Sequence, residues 1–271
     1  MKLEMNRAWS QATSLIGANK DVVFIVAGVF FFVPYLALMI AMPDAQAMAV
    51  DPANTEAVFE QLGAAYAELW WALLLVTLLQ AVGMLGLMAL LTDHRRPTLG
   101  EALKMGALKA LSYIGAYLLV AVAVGLLAVV LVGAATAAGA AVGMLLGLVM
   151  LVLLIYVAVK FSLVPAVLVK EDTSNPITAL VRSWKITKGN SLRLFFFYFL
   201  LFVVMFVLMM VLSIVVGVIF GLLGGAALTF VSAPLSSAVN APWDTGFLAV
   251  IAAVHDQLGG TGRAQISETF E

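Results

Sequence analysis

Six long apolar runs constrain this chain more than any other feature of its sequence. Each has about 20 or more residues with few charges, which is enough for an α-helix to cross the ~30 Å hydrocarbon layer of a bilayer. The runs cover residues 22–42, 69–92, 111–134, 141–167, 194–220 and 226–257. Because backbone polar groups in lipid must be satisfied within the segment, such runs predict helices and not open strands. The sequence therefore predicts an all-α, polytopic membrane protein with six transmembrane helices.

The composition agrees with this class and excludes several chemistries. Hydrophobic residues make up 64% of the 271 residues and charged residues 11%, whereas a soluble domain carries about 25% charged residues. The chain contains no cysteine, which excludes disulfides, thiolate catalysis and thiolate metal sites. We interpret residues 1–271 as a single integral membrane domain with a cytoplasmic tail at 259–271.

The positions of Lys and Arg predict which side of the membrane each loop faces. Residues 44–68 contain acidic residues and no Lys or Arg, whereas 95–109 and 170–193 are rich in both. Lys and Arg cluster on the cytoplasmic side of membrane proteins. We therefore expect a bacterial cytoplasmic (inner) membrane protein with both termini and both basic loops in the cytoplasm. The acidic segment and a short Gly/Ala turn at 133–140 are expected on the other side.

Three segments, at 5–18, 98–111 and 175–188, share the pattern of a short amphipathic helix that leads into apolar sequence. The apolar runs after them begin near residues 21, 111 and 191, at a nearly regular spacing. This predicts three copies of one unit, at approximately 1–92, 97–170 and 174–258, and such repeats often place a cavity at their common axis. Alternatively, any helix that leaves the cytoplasmic interface has this pattern, with Trp and Lys as anchors.

Capping residues predict where two of these short helices begin and end. Thr98 and Glu101 have the T-x-x-E spacing of a capping box. Asn175 is a favourable N-cap, and Pro176 suits the first helical position. Gly189 is a natural C-terminal stop for the third helix.

The segment 160–193 has a recognisable order of residues. A lysine within an apolar run is followed by a proline, an acidic residue and the pattern A-L-x-x-S-W-x-x-T-K-G. These residues are Lys160, Pro165, Glu171, Ala179, Leu180, Ser183, Trp184, Thr187, Lys188 and Gly189. The segment resembles the membrane domain found with bacterial glycerophosphoryl diester phosphodiesterases and the related YciC-like inner-membrane proteins. The resemblance implies a membrane-embedded protein with several spans. Nothing catalytic carries over, because the phosphodiesterase activity belongs to a separate soluble barrel.

Lys160 is the first candidate for a ligand-binding residue. It precedes Lys170 by ten residues, or about 15 Å along an unbroken helix. If Lys170 marks the interface, Lys160 approaches the bilayer midplane and needs a cavity or an acidic partner. Alternatively, the span ends near Lys160 and the side chain extends to the headgroups. In both cases an anionic lipid phosphate could contact it.

The second candidate is segment 240–246, which interrupts the sixth apolar run with helix breakers and one acid. It could be a broken helix that lines a cavity, with Asp244 paired to Lys160 across the bundle. The alternative, which we favour, is a loop on the outer surface with Trp243 as an interfacial anchor.

The third candidate is the basic third helix together with the preceding basic loop. The residues concerned are Arg182, Trp184, Lys185, Lys188 and Arg193, and Arg95, Arg96, Lys104 and Lys109. Each cation beside the cytoplasmic leaflet attracts anionic lipids by about 1 kcal/mol. The alternative is that these charges only set the topology.

No phosphate-binding loop, nucleophile elbow or metalloprotease motif is present, and His94 and His255 are isolated in the sequence. We therefore predict a non-enzymatic protein without cofactor or metal that binds lipids or other amphipathic molecules in an intramembrane cavity. The alternatives are an accessory subunit that recruits a membrane protein, and a secondary transporter or exporter. The expected partners are anionic lipid headgroups at the cytoplasmic leaflet and a membrane protein or second copy of the chain, and not nucleic acid.

Overall fold

Helices form almost all of the described chain. A computed structural model describes residues 2–41, 55–93, 97–223 and 226–259, and these contain no strand. The helices are α1 (Met5–Ala18), α2 (Lys20–Val26), α3 (Val33–Ala41), α4 (Thr55–Thr92), α5 (Leu99–Ala138), α6 (Ala140–Phe161), α7 (Val164–Lys170), α8 (Pro176–Thr187), α9 (Ser191–Leu223) and α10 (Ala226–Gly259). The all-α class is confirmed for these residues. Outside these ranges lie His94, Arg95, Arg96 and residues 44–54 of the predicted acidic segment.

Within the described ranges, five segments are long and apolar enough to cross a membrane, so the chain is a multi-pass membrane protein. They are Lys20–Ala41, Tyr66–Thr92, Leu99–Thr136, Ala141–Lys170 and Ser191–Val218. Five of the six predicted runs overlap these segments. The sixth run lies within α10, which is one continuous helix but is not among the five.

The first of these segments is interrupted by a π-helical stretch, Ala27–Phe32, between α2 and α3. Pro34 explains the interruption, because proline has no N–H to donate and its ring clashes with the carbonyl four residues earlier. The extra residue in the π turn relieves that clash. The result places Phe31 in the core, against the helices that follow.

The predicted separate helix at 98–111 is wrong, because these residues are the start of the continuous helix α5. Its 40 residues give a length of about 60 Å, roughly twice the hydrocarbon thickness. The predicted capping box is confirmed. The Thr98 backbone N–H donates to Glu101 Oε2 at 2.8 Å, and the Glu101 backbone N–H donates to Thr98 Oγ1 at 3.4 Å.

Two tight turns depend on glycine. Gly139 alone separates α5 from α6, with a φ of +89° that side-chain-bearing residues rarely adopt. Gly189 follows α8 with a φ of +82°, as predicted. The other end of α8 is also as predicted, since Asn175 Oδ1 accepts hydrogen bonds from Ile177 N and Thr178 N at 2.9 and 3.2 Å.

Helices α4 and α5 approach closely where Gly86 and Gly106 face each other. A Cβ added to Gly106 would lie 2.4 Å from the Val82 carbonyl oxygen and 2.8 Å from Gly86 N. One turn earlier on α4, a Cβ on Gly83 would lie 2.3 Å from Phe30 Cβ. Small residues at such contacts let helix backbones pack closely in membranes, where no hydrophobic effect drives them together.

The C-terminal part of α10 forms the centre of the core. Residues 248–254 are all buried, and α10 packs against α1, α3, α4 and α9. Protein therefore covers this half of the helix. Just before this stretch, α10 also carries the buried Thr245 and the half-buried Asn240, polar side chains that a lipid-facing helix would expose at a cost.

Candidate functional site

An apolar pocket of about 420 Å³ lies between α1, α9 and α10. Its lining includes Trp9, Leu201, Met205, Leu208, Trp243, Gly246 and Phe247. The rings of Trp243 and Phe247 are stacked, with centroids 5.8 Å apart. All lining residues are apolar apart from the indole N–H groups. The pocket therefore suits a hydrocarbon group better than a polar metabolite.

The predicted loop at 240–246 is wrong, because the segment is helical throughout and Pro242 lies inside α10. A proline in a helix leaves the carbonyl four residues earlier without its usual donor, and surrounding protein makes this tolerable in membrane bundles. Segment 240–246 therefore lines a pocket without breaking the helix. Trp243 is half-buried in that pocket, so it is not an anchor in an outer loop.

Asp244 lies beside the pocket but does not line it. It is half-buried. No ion pair joins Asp244 to Lys160 in the part of the chain that the structure describes, so their predicted pairing is wrong. A ligand-binding role for Asp244 stays a prediction.

Lys160 lies in the last turn of α6 and is only 3% exposed. Its ammonium lies 4.9 Å from the centroid of the Trp184 ring and 5.6 Å from that of Tyr156. Its backbone carbonyl accepts a hydrogen bond from Ser183 Oγ at 2.7 Å, which fastens α8 to α6. Lys160 thus faces two aromatic rings, whereas the sequence left open a cavity or acidic partner and an extension of the side chain to the headgroups.

These rings compensate only part of the cost of burying the lysine charge. A cation–π contact contributes about 0.5–2 kcal/mol, whereas burying an ion costs several kcal/mol. The negative end of the α6 dipole contributes about 0.3–1 kcal/mol more. The charge of Lys160 therefore remains incompletely balanced by the protein.

Residues 170–172, here named the ionic turn, lie at the end of α7 and contact three other helices, α5, α8 and α10. Lys170 pairs with Asp256 of α10, and Asp172 pairs with Lys109 of α5 at 2.5 Å. Between them, Glu171 accepts from Arg182 Nε of α8 and lies 3.2 Å from His255 Nε2 of α10. Gln11 of α1 donates to the same Asp256 at 3.0 Å. The sequence indicated none of these pairs.

Glu171 is the centre of the ionic turn. Burial alone would raise the pKa of Glu171, but the hydrogen bonds from His255 and Arg182 outweigh it and hold this pKa below its usual range. Since an ionised carboxylate only accepts hydrogen bonds, His255 Nε2 carries the proton. His255 is fully buried, and its Nδ1 has no hydrogen-bond partner among the described residues.

The remaining basic candidates differ in their surroundings. The guanidinium of Arg182 is occupied by Glu171, at 2.7 Å from Oε2. Lys185 is exposed and Arg193 is half-buried, and neither pairs with an acid in the described ranges. Trp184 lies against Lys160, on the exposed side of α8 together with Ile177 and Val181. Helix α8 therefore exposes Ile177, Val181 and Trp184 and packs inward through Ala179 and Ile186.

Within 2–41, 55–93, 97–223 and 226–259, no three His, Asp, Glu or Cys side chains are arranged to hold a metal ion. His94 lies outside these ranges. His255 contacts Glu171 of the ionic turn.

Comparison with known proteins found no matching family model, no matching curated protein and no matching solved structure. The resemblance of segment 160–193 to the phosphodiesterase-associated membrane domains therefore stays a prediction.

Proposed function

We propose that this protein is a non-enzymatic membrane protein that binds lipids or other amphipathic molecules in the pocket between α1, α9 and α10. The apolar lining of that pocket carries the proposal. Its volume of about 420 Å³ falls within the roughly 300–1,000 Å³ of ligand sites. With no charged group in the lining, the expected occupant is an acyl chain.

The position of the pocket supports entry from the membrane. Val204 and Leu208 belong to the lining and are also exposed on α9, so the pocket opens on the apolar surface of a membrane-spanning helix. Trp9 of α1 also belongs to the lining and is half-exposed. Because tryptophan prefers the headgroup level, the polar end of the ligand is expected beside Trp9.

Gly246→Leu is expected to remove the bound lipid. A Cβ at Gly246 meets no atom within 4 Å, and Gly246 belongs to the lining, so the leucine side chain is expected to occupy space that the lipid would use. Native mass spectrometry of the detergent-solubilised protein should show one fewer lipid adduct per chain than in the wild type.

Gly147→Leu is the matched control. Gly147 lies within α6, is exposed and also has open space around it. Gly147→Leu raises helix propensity as Gly246→Leu does. Gly147 is, however, remote in sequence from every residue that lines the pocket. Equal lipid retention by Gly246→Leu and the wild type would contradict the proposed site.

We place the protein in a bacterial cytoplasmic membrane with α8 on the cytoplasmic side, and we include α10 as a sixth span shielded by its neighbours. Since the chain has no cysteine, single cysteines can report this directly. Lys185→Cys should react with an impermeant maleimide only after spheroplasts are permeabilised. Thr136→Cys, beside the Gly139 turn, should react in intact spheroplasts. The reverse pattern would refute the orientation.

The predicted kinship with phosphodiesterase-associated membrane domains and the threefold repeat remain part of this proposal. The repeat is supported by the similar positions of α1 and α8 before apolar helices. The continuous α5 departs from it. If the protein is instead an accessory subunit, the same mass spectra should show a stable complex with a second protein.

A further inference from the structure

Two lysines are buried in the described part of the chain, Lys109 and Lys160, and their surroundings differ. The Lys109 ammonium contacts the Asp172 carboxylate and donates to the Leu168 carbonyl at 2.7 Å. Lys160 has aromatic rings as neighbours and no carboxylate among the described residues. One buried lysine is therefore neutralised by the protein and the other is not.

A second positive charge increases the imbalance at Lys160. Lys188 is exposed at the C-terminal end of α8, one helical turn after the Trp184 whose ring contacts Lys160. Two like charges in a partly desolvated place are unfavourable unless an anion lies near both. The site thus has the electrostatic character of an anion-binding site.

The aromatic neighbours show where this site opens. Trp184 and Tyr156 are 39% and 43% exposed. Along α6, Val152 and Ile155 are exposed on the preceding turn, so an apolar surface leads away from the ammonium. Trp and Tyr prefer the level of lipid headgroups. An anion with attached hydrocarbon chains matches both parts of this surface.

We propose that Lys160, Tyr156, Trp184 and Lys188 form a binding site for a phosphate group, supplied by the headgroup of an anionic phospholipid whose chains lie along α6. This site shares no residue with the pocket between α1, α9 and α10. It therefore goes beyond the proposed function and does not depend on it. The cationic groups recognise the phosphate charge, and the two rings fix the position of the Lys160 ammonium.

The test measures lipid binding to the full chain in detergent by native mass spectrometry, with phosphatidylglycerol and with diacylglycerol of the same chains. Wild-type protein should bind phosphatidylglycerol at least about fivefold more tightly, as expected for one cationic contact to an anionic headgroup. Lys160→Met should remove that preference and leave diacylglycerol binding unchanged. Lys160→Arg should retain it.

Lys185→Met is the matched control, because Lys185 is an exposed lysine on α8 beside Trp184. Equal loss of preference in Lys160→Met and Lys185→Met would reduce the site to general surface charge and overturn the proposal. Equal binding of the two lipids by the wild type would overturn it without any variant.

Inorganic phosphate then distinguishes the two sources of the same anion. Displacement of phosphatidylglycerol by phosphate would assign the site to the free ion, and resistance to displacement would assign it to the lipid. Both results support a phosphate site. Gly246→Leu tests the pocket between α1, α9 and α10, and Lys160→Met tests the phosphate site. A negative result at one site therefore does not affect the conclusion about the other.

Discussion

Gly106→Ala is expected to destabilise the protein by about 1–3 kcal/mol, the range for forcing extra atoms into a well-packed contact. The new Cβ would lie 2.4 Å from the Val82 carbonyl oxygen. Because this oxygen belongs to the backbone, a change of side-chain rotamer cannot relieve the clash. Helices α4 and α5 must therefore separate, or α5 must shift along its axis. The measurement is the thermal unfolding midpoint in detergent.

Gly125→Ala provides the comparison for Gly106→Ala on the same helix. A Cβ at Gly125 meets nothing within 4 Å, so the substitution brings only the propensity gain of alanine, up to about 1 kcal/mol. We expect an unchanged or slightly higher midpoint. If the two variants behave alike, the close contact between α4 and α5 does not exist as described.

Glu171→Ala is expected to loosen the ionic turn and to lower the stability of the protein, which is the second large effect that we predict. It removes the acceptor for Arg182 and for the fully buried His255. Leaving a buried donor without a partner costs about 1–3 kcal/mol. The Arg182 pair adds little, because its side chain is 43% exposed and such pairs contribute about 0–1 kcal/mol. Lys185→Ala, on the same helix as Arg182, should leave the midpoint unchanged.

The pH dependence of Glu171→Gln identifies the carboxylate as the cause. The folded-state pKa of Glu171 is lowered, so its contribution is complete above its unfolded-state pKa of about 4.3. It is lost as the pH falls through the lower folded-state pKa. The difference in midpoint between wild type and Glu171→Gln should therefore be largest near neutral pH and shrink in acid. A difference that grows in acid would contradict the assigned role.

Local features of the fold could be predicted from sequence because neighbouring residues determine them. The capping box at Thr98, the N-cap at Asn175 and the stop at Gly189 depend on side chains within three residues of the backbone groups they serve. The length of each apolar run can likewise be read directly from the sequence. Neither kind of prediction requires knowledge of which helices are neighbours.

Contacts between distant helices could not be predicted in this way. Lys170 meets Asp256, and Glu171 meets His255, across more than 80 residues, and many other charges were equally available. Gly106 is one of 22 glycines. A residue without a Cβ is required at this position only because α4 and α5 cross there.

The error at 240–246 has a related cause. Pro242 and Asn240 break isolated helices, but α10 is held by α1, α4 and α9 on its other sides. Thr245 Oγ1 also donates to the Ala241 carbonyl at 2.8 Å, within the helix. Tertiary packing thus overrides the local preference, and the resulting continuous helix presents Trp243, Gly246 and Phe247 on one face.

A density map of the full chain in lipid nanodiscs tests the proposed lipid site most directly. We predict elongated density of an acyl chain between α9 and α10, in contact with Met205, Trp243 and Phe247, and with its polar end beside Trp9. A map in which the side chains of α9 and α10 close the space, with no lipid density between them, would contradict the proposal.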